Sequence, residues 1–286
     1  MSQFPSEIGP TTEAVIKASQ RVTPEETDEV RHITFEVLDP AFQFVEGQSI
    51  GVVVPGPHDF GNAYHVRRYS IANAREIPLG TGVHLDVLVR RCFYLDEVSG
   101  ERYAGVASNY LCDAKVGDKI TINGPHLSPF KMPLDNRANL LMIGTGTGIA
   151  PFRAFAQLIY ERRGDWKGQV RLYYGGHSGL DLMYANDEST DLADYYDDKT
   201  FNAFRALGSR PLETSSQALE QGLADNVADA WRLIQEPNTH VFLSGLGKVA
   251  KVFDKVMTEK AGSEDAWKGI KQKMIEDGRW SELIYD

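Results

Sequence analysis

A chain of 286 residues, 42% hydrophobic and 24% charged, has the composition of a folded protein with room for two ordinary domains. A formal net charge of -10 argues against general nucleic-acid binding, although it leaves room for a local basic face. The two cysteines, Cys92 and Cys112, cannot supply the thiolate set of an iron-sulfur cluster or a structural zinc site, so any such centre is expected on a partner.

At the N-terminus, Met1-Ser2-Gln3-Phe4-Pro5 has neither the basic start nor the apolar stretch of a signal peptide, and no run approaches the ~18 apolar residues that cross a bilayer. A cytoplasmic protein with no membrane insertion is expected. The acidic run Glu25-Glu26-Thr27-Asp28-Glu29 reads as a solvated loop. From about Val15 to Leu134, short alternating runs follow one another between turn residues, among them His32-Ile33-Thr34-Phe35-Glu36-Val37, Ile50-Gly51-Val52-Val53-Val54 and Val83-His84-Leu85-Asp86-Val87-Leu88-Val89. Strands at that spacing predict an all-β barrel or sandwich.

After Asn136 the pattern changes. Asn139-Leu140-Leu141-Met142-Ile143 is an apolar burst of the kind a parallel strand buried on both faces requires, and a glycine loop and a helical stretch over 151–163 follow it. Residues 169–174 read as a strand, 225–235 as a helix and 240–243 as another strand before a glycine turn. This alternation predicts a doubly wound α/β domain. The boundary is expected near 133–137, giving domains 1–136 and 137–286. The cluster at 194–199 reads as a surface connection, and His32, His65, His84 and His240 lack ligand spacing, so no metal is assigned. Arg67, Arg68, Arg90, Arg91, Arg153, Arg162 and Arg163 fit a basic face and fit ordinary solvation equally well.

Two segments carry chemistry. Gly144-Thr145-Gly146-Thr147-Gly148-Ile149-Ala150-Pro151-Phe152 joins a strand to a helix, where glycines let the backbone approach a pyrophosphate and the helix start offers unpaired N–H donors. Pro151 suits the first helical turn. The loop is neither a Walker A motif nor the usual G-x-G-x-x-G, and a tight connection without a ligand needs the same glycines. In Arg67-Arg68-Tyr69-Ser70-Ile71-Ala72, a strand would point Arg67 and Tyr69 to one side, suiting a phosphate and a flat ring system, and Ser70 to the other.

With these segments the chain resembles the plant-type ferredoxin-NADP(+) reductase family from about Phe42 to Tyr285. The matching residues run in order: Glu46-Gly47-Gln48-Ser49-Ile50-Gly51, Arg67-x-Tyr69-Ser70, Val106-Ala107-Ser108-Asn109-Tyr110-Leu111-Cys112, Gly117-Asp118, the loop from Gly144 to Phe152, Ser209-Arg210, Ser244-Gly245-Leu246 and Tyr285. The resemblance implies an N-terminal antiparallel FAD-binding β-barrel and a C-terminal doubly wound parallel-sheet NAD(P)-binding domain. It implies that Arg67 and Ser108 bind the FAD pyrophosphate, that Tyr69 packs on the isoalloxazine with Ser70 near flavin N5, and that Tyr94 stacks on the adenine. Gly146, Thr147 and Gly148 are implied to hold the nicotinamide dinucleotide, and Ser209 and Arg210 the 2'-phosphate of NADP(H). Tyr285 is implied to cover the flavin until nicotinamide displaces it; a frayed tail is the other reading.

Three departures stand out. Ser244 replaces the family's cysteine beside the nicotinamide. Leu283 replaces a glutamate, so protons are expected by another route, such as Glu282 or water, unless Glu282 is simply a surface residue. The lysine and tyrosine that grip the 2'-phosphate are not evident in Gln217-Ala218-Leu219-Glu220-Gln221-Gly222, where Glu220 could repel it, so NADP(H) is expected with NAD(H) as the alternative. Asp286 adds charge at the chain end. The expected activity is a flavoenzyme exchanging electrons between NADP(H) and ferredoxin, flavodoxin or another redox protein, with Ser70, Ser244 and Tyr285 at the reacting centre. The alternatives are a reductase serving a dedicated oxygenase or multi-subunit complex, and a flavin-binding electron conduit that takes no hydride.

Overall fold

The computed structural model describes residues 8–39, 41–56, 62–75, 82–96, 98–163, 166–176, 182–184, 201–207 and 214–285, with backbone alone at 161–163 and 201–207. The chain divides into two compact units, Met1–Ser128 and Pro129–Asp286.

In the first unit, β1 (Thr11–Arg21), β2 (Val30–Val37), β3 (Ser49–Pro55), β4 (Tyr64–Ser70), β5 (Val83–Arg90) and β8 (Lys119–His126) form an antiparallel sheet in the order β4-β3-β8-β1-β2-β5. The two outer strands meet where Ile71 bridges Val87 and the Ala72 amide donates to the Asp86 carbonyl at 2.8 Å, which closes the sheet into a barrel. The period-two pattern explains the inside: Ile33, Phe35 and Val37 of β2 and Leu85, Val87 and Val89 of β5 are buried, while Thr34 and Asp86 between them meet on the outer face. A short hairpin of β6 (Phe93–Leu95) and β7 (Arg102–Ala104) precedes helix α1 (Val106–Asp113).

The acidic run is not simply solvated. Glu29 accepts from Arg31 at 2.5 Å and Arg91 at 2.7 Å, and Asp28 pairs with Arg90 at 2.6 Å. Those arginines are therefore tied to carboxylates and do not form an open basic face. Arg153 is buried, with its guanidinium 4.9 Å from the centre of the Tyr184 ring.

In the second unit, β9 (Asn139–Thr145), β10 (Val170–Gly176), β11 (Phe201–Leu207), β12 (Thr239–Leu246) and β13 (Trp280–Tyr285) form a parallel sheet in the order β11-β10-β9-β12-β13. Both faces are covered. Leu141, Ile143, Val241 and Leu243 pack against α3 (Ser215–Asp225), α4 (Val227–Gln235), α5 (Lys248–Ala261) and α6 (Glu264–Glu276) through a core that includes Leu219, Ala230, Phe253 and Trp267. On the opposite face Phe242 meets Phe155 of α2 (Ile149–Gln157) and Phe130, with ring centroids 5.3 and 5.2 Å away. Phe130 precedes the expected boundary at 136, yet its packing belongs to this unit, where the contacts divide the chain.

Among the described residues, no helix is long and apolar enough to cross a membrane.

Candidate functional site

The parallel strand order places the first strand of the unit, β9, in the centre, with the chain winding outward to β10 and β11 and then returning to β12 on the other side. Neighbouring strands whose connections leave in opposite directions open a crevice at their carboxyl ends, the usual ligand position in such sheets. The residues at this switch point are Gly144 to Gly148, at the end of β9 and in the turn that follows it, and Ser244 to Leu246 at the end of β12.

The glycines are there for space. A β-carbon on Gly144 would meet the Phe152 ring at 2.9 Å and the Ser244 carbonyl at 3.0 Å, and one on Gly148 would collide with the Ser244 and Gly245 backbone. Gly146 adopts φ +55 and Gly245 φ +138, conformations that L side chains rarely take. Gly146–Gly148 forms a short 3-10 turn leading into α2, so the first N–H groups of the turn have no intrahelical partner. Expectation and structure agree on the strand-loop-helix placement, although α2 begins at Ile149 and widens into a π-helical stretch over Leu158–Arg163.

Ser244 is wholly buried, directly opposite Gly144 on one side and Leu283 on the other. Its Oγ makes no hydrogen bond of acceptable geometry with the described residues. Tyr285 ends β13, opposite Leu246, and is no frayed tail. Burial raises the pKa of its phenol, and the neighbouring Thr147 and Ser244 hydroxyls pull it down by less. The structure thus brings Thr147, Ser244 and Tyr285 together at the carboxyl end of the sheet. Glu282 faces the other way, accepting from Trp280 Nε1 at 2.7 Å and pairing with Lys271 at 3.3 Å, so it offers no proton route to this cluster. Glu220 is paired with Lys255, which offsets the charge expected to repel a phosphate.

The first unit assembles a second group of the expected residues. Ile50 and Val52 of β3 stand opposite Tyr69 and Arg67, and Ser49 opposite Ser70. Tyr69 is half-buried against the barrel core, which pushes its phenol pKa well up, while the exposed Arg67 lies near enough to lower it. The Ser108 hydroxyl accepts from the Cys92 amide at 3.1 Å and donates to the Gly105 carbonyl at 3.2 Å, pinning the hairpin to the start of α1. With no side-chain cap on that helix, the amides of Val106, Ala107 and Ser108 in its first turn are the donors available to an anion. Tyr94 is 52% exposed and stacks on Tyr103, its cross-strand neighbour, with centroids 5.4 Å apart.

Ser209, Arg210, Asp286 and the cluster at 194–199 lie outside the described residues. Sequence reasoning missed Tyr103 and Tyr174. Tyr103 was legible from the turn at Ser99-Gly100, which sets it opposite Tyr94; Tyr174 lies on β10 and donates from its phenol to the Gly146 carbonyl at 3.0 Å, a contact that no local pattern announces.

Comparison with known proteins agrees with this arrangement. The ferredoxin–NADP reductase of Spirulina sp is 30% identical over 268 residues, covering 91% of this chain and 90% of that protein. The chain belongs to the ferredoxin–NADP reductase family. Another member of the family, from Synechocystis sp., is 33% identical over 262 residues, or 90% of this chain. This chain spans 63% of the Synechocystis relative and 65% of the Picosynechococcus one. A family model described as the oxidoreductase NAD-binding domain matches residues 142–255, from within β9 into α5. The ferredoxin-NADP+ reductase of Plasmodium falciparum has the same fold, with a TM-score of 0.72 at 18% identity over 99% of this chain and 98% of that one.

Proposed function

We propose that this chain is an FAD-dependent reductase that exchanges electrons between NADP(H) and ferredoxin or flavodoxin. The observation that carries the reading is the meeting of Gly146–Gly148, Ser244 and Tyr285 at the carboxyl ends of β9, β12 and β13, in a chain of this family. When bound, the flavin supplies acceptance of a hydride at N5 and release of electrons one at a time.

The residues fit both nucleotides. The space beside Gly148 admits backbone but no side chain, and the buried Ser244 Oγ, beside the Tyr285 phenol but in no well-formed hydrogen bond, keeps capacity to meet a ligand. Thr147 and the amides of its turn would hold the coenzyme's phosphates, and Tyr285 is the ring that yields to nicotinamide. In the barrel, the first-turn amides of α1 and Arg67 would hold the FAD pyrophosphate, Tyr69 the isoalloxazine and Tyr94 the adenine, with Ser70 beside N5. Ser108 acts there through its backbone and by fixing the hairpin, because its hydroxyl already bonds Cys92 and Gly105.

NADP(H) is proposed over NAD(H) because Ser209-Arg210 match the family's 2'-phosphate pair and arginine suits that dianion. Arg210→Ala should then impair NADPH use far more than NADH use; equal impairment would remove the reason for preferring NADP(H). A cytoplasmic location belongs to the same proposal and is read by fractionation.

A second reading has a specific motive. Leu283 stands opposite Ser244, so an apolar side chain occupies the position where the family resemblance leads one to expect a carboxylate, and a dedicated oxygenase or other redox complex could be the partner. Cytochrome c reduction through added ferredoxin or flavodoxin, run beside reduction of an artificial acceptor, separates the two. Activity with the artificial acceptor alone supports the dedicated partner.

A further inference from the structure

Tyr174 is one of the largest wholly buried side chains, held on β10 opposite Gly144. Its phenol crosses under the glycine loop to donate to the Gly146 carbonyl at 3.0 Å, and the same carbonyl accepts from the Ile149 amide. Gly146 needs that anchorage. It is exposed, has φ +55 and has no atom within 4 Å of where a β-carbon would lie, so nothing packed on its outer side fixes the peptide that follows it.

The Gly146–Thr147 peptide is trans, as Gly124–Pro125 is the one cis bond among the described residues. In a planar trans peptide the C=O and the following N–H point in opposite directions. Two donors drawing the Gly146 oxygen inward therefore turn the Thr147 N–H outward, and as part of a first helical turn this amide has no intrahelical partner. The wholly buried Ser244 Oγ at the same loop has the Tyr285 phenol beside it but makes no well-formed hydrogen bond, which independently points to a ligand there.

We propose that Tyr174 is a positioning residue for the coenzyme, its hydroxyl holding the Gly146–Thr147 peptide in the orientation that aims the Thr147 amide at a phosphate. The inference rests on the proposed nucleotide site. Tyr174 touches no ligand. It acts by fixing a dipole before the ligand arrives, so that no reorientation is needed on binding.

Tyr174→Phe removes the hydroxyl and keeps the buried ring. With the FAD-loaded protein, the affinity for NADP+ measured by calorimetry should fall about fivefold, the value of one ordinary hydrogen bond. The KM for NADPH should rise by a similar factor with kcat little changed. Unchanged affinity together with a lower melting temperature would mean that the bond is structural and the inference wrong. If the wild type binds neither NADP+ nor NAD+, the functional reading fails first and takes this inference with it. Amide hydrogen exchange in the wild type needs no variant: the Thr147 amide should exchange readily in the free protein and be protected when NADP+ binds. Protection already present without NADP+ would overturn the outward orientation.

Discussion

The carbonyl group of Ser244 occupies the space into which a side chain on Gly148 would grow, so the loop after β9 and the end of β12 meet backbone to backbone. Neither element can be widened without moving the other, and the nucleotide site proposed here sits on both.

Gly148→Ala should therefore act as an overpacking mutation. Pushing the Ser244 carbonyl away costs about 1–3 kcal/mol, or a fall of roughly 5 °C in melting temperature, and misplaces the loop. Thermal unfolding and NADP+ titration read both effects. A variant of wild-type stability and affinity would mean that the close approach is not maintained in solution.

Ser244→Ala should move stability the other way. Its hydroxyl is buried beside the Tyr285 phenol without a well-formed hydrogen bond, and because a poorly satisfied buried hydroxyl costs about 1–3 kcal/mol, its removal should raise the melting temperature by up to a few degrees. Coenzyme-driven flavin reduction should slow in the same variant. A loss of stability would show that the hydroxyl is satisfied in the protein as it stands.

The barrel strands and the parallel strands were legible because their burial periods are opposite: alternation in His32 to Val37, continuous burial in Leu140 to Ile143. Tyr285 was legible as a residue but not as the end of a strand, since β13 gains its pairing from β12, far away in sequence. The helix expected over 225–235 is present as Val227–Gln235, but the helix Ser215–Asp225 that precedes it across Asn226 was not anticipated, although its Thr214–Gln217 capping box is a readable signal. The orientation of Glu282 and the bonds of Ser108 and Tyr174 depend on partners brought close only by the fold. No spacing rule reaches them.

The Tyr94–Tyr103 pair gives a prediction for flavin binding. Base stacking on an aromatic ring contributes about 1–3 kcal/mol, so Tyr94→Ala should weaken FAD binding by about fivefold to a hundredfold, while FMN, which lacks adenine, should bind as before. Equal loss for FAD and FMN would point to a collapsed hairpin instead of a lost adenine contact.

The two thiols should behave differently. Cys92 is exposed and should react promptly with a thiol reagent in the native protein, whereas Cys112 should react only on unfolding. Burial chiefly, against the pull of Arg91, raises the Cys112 pKa from 9.0 to about 11. A folded pKa above the unfolded one stabilises the fold fully below pH 9.0 and loses that contribution as the pH climbs through about 11. Urea midpoints across this range should fall more steeply for the wild type than for Cys112→Ala. Parallel curves would remove the thiol from the pH dependence.

The central claim is that the chain holds FAD and passes reducing equivalents to it from a nicotinamide coenzyme. Its most direct test is anaerobic titration of the purified, FAD-loaded protein with NADPH and then NADH while the visible flavin band is recorded. The account predicts bleaching by NADPH at lower concentration than by NADH. A protein that takes up no FAD, or one whose flavin is bleached by dithionite but by neither coenzyme, would contradict it.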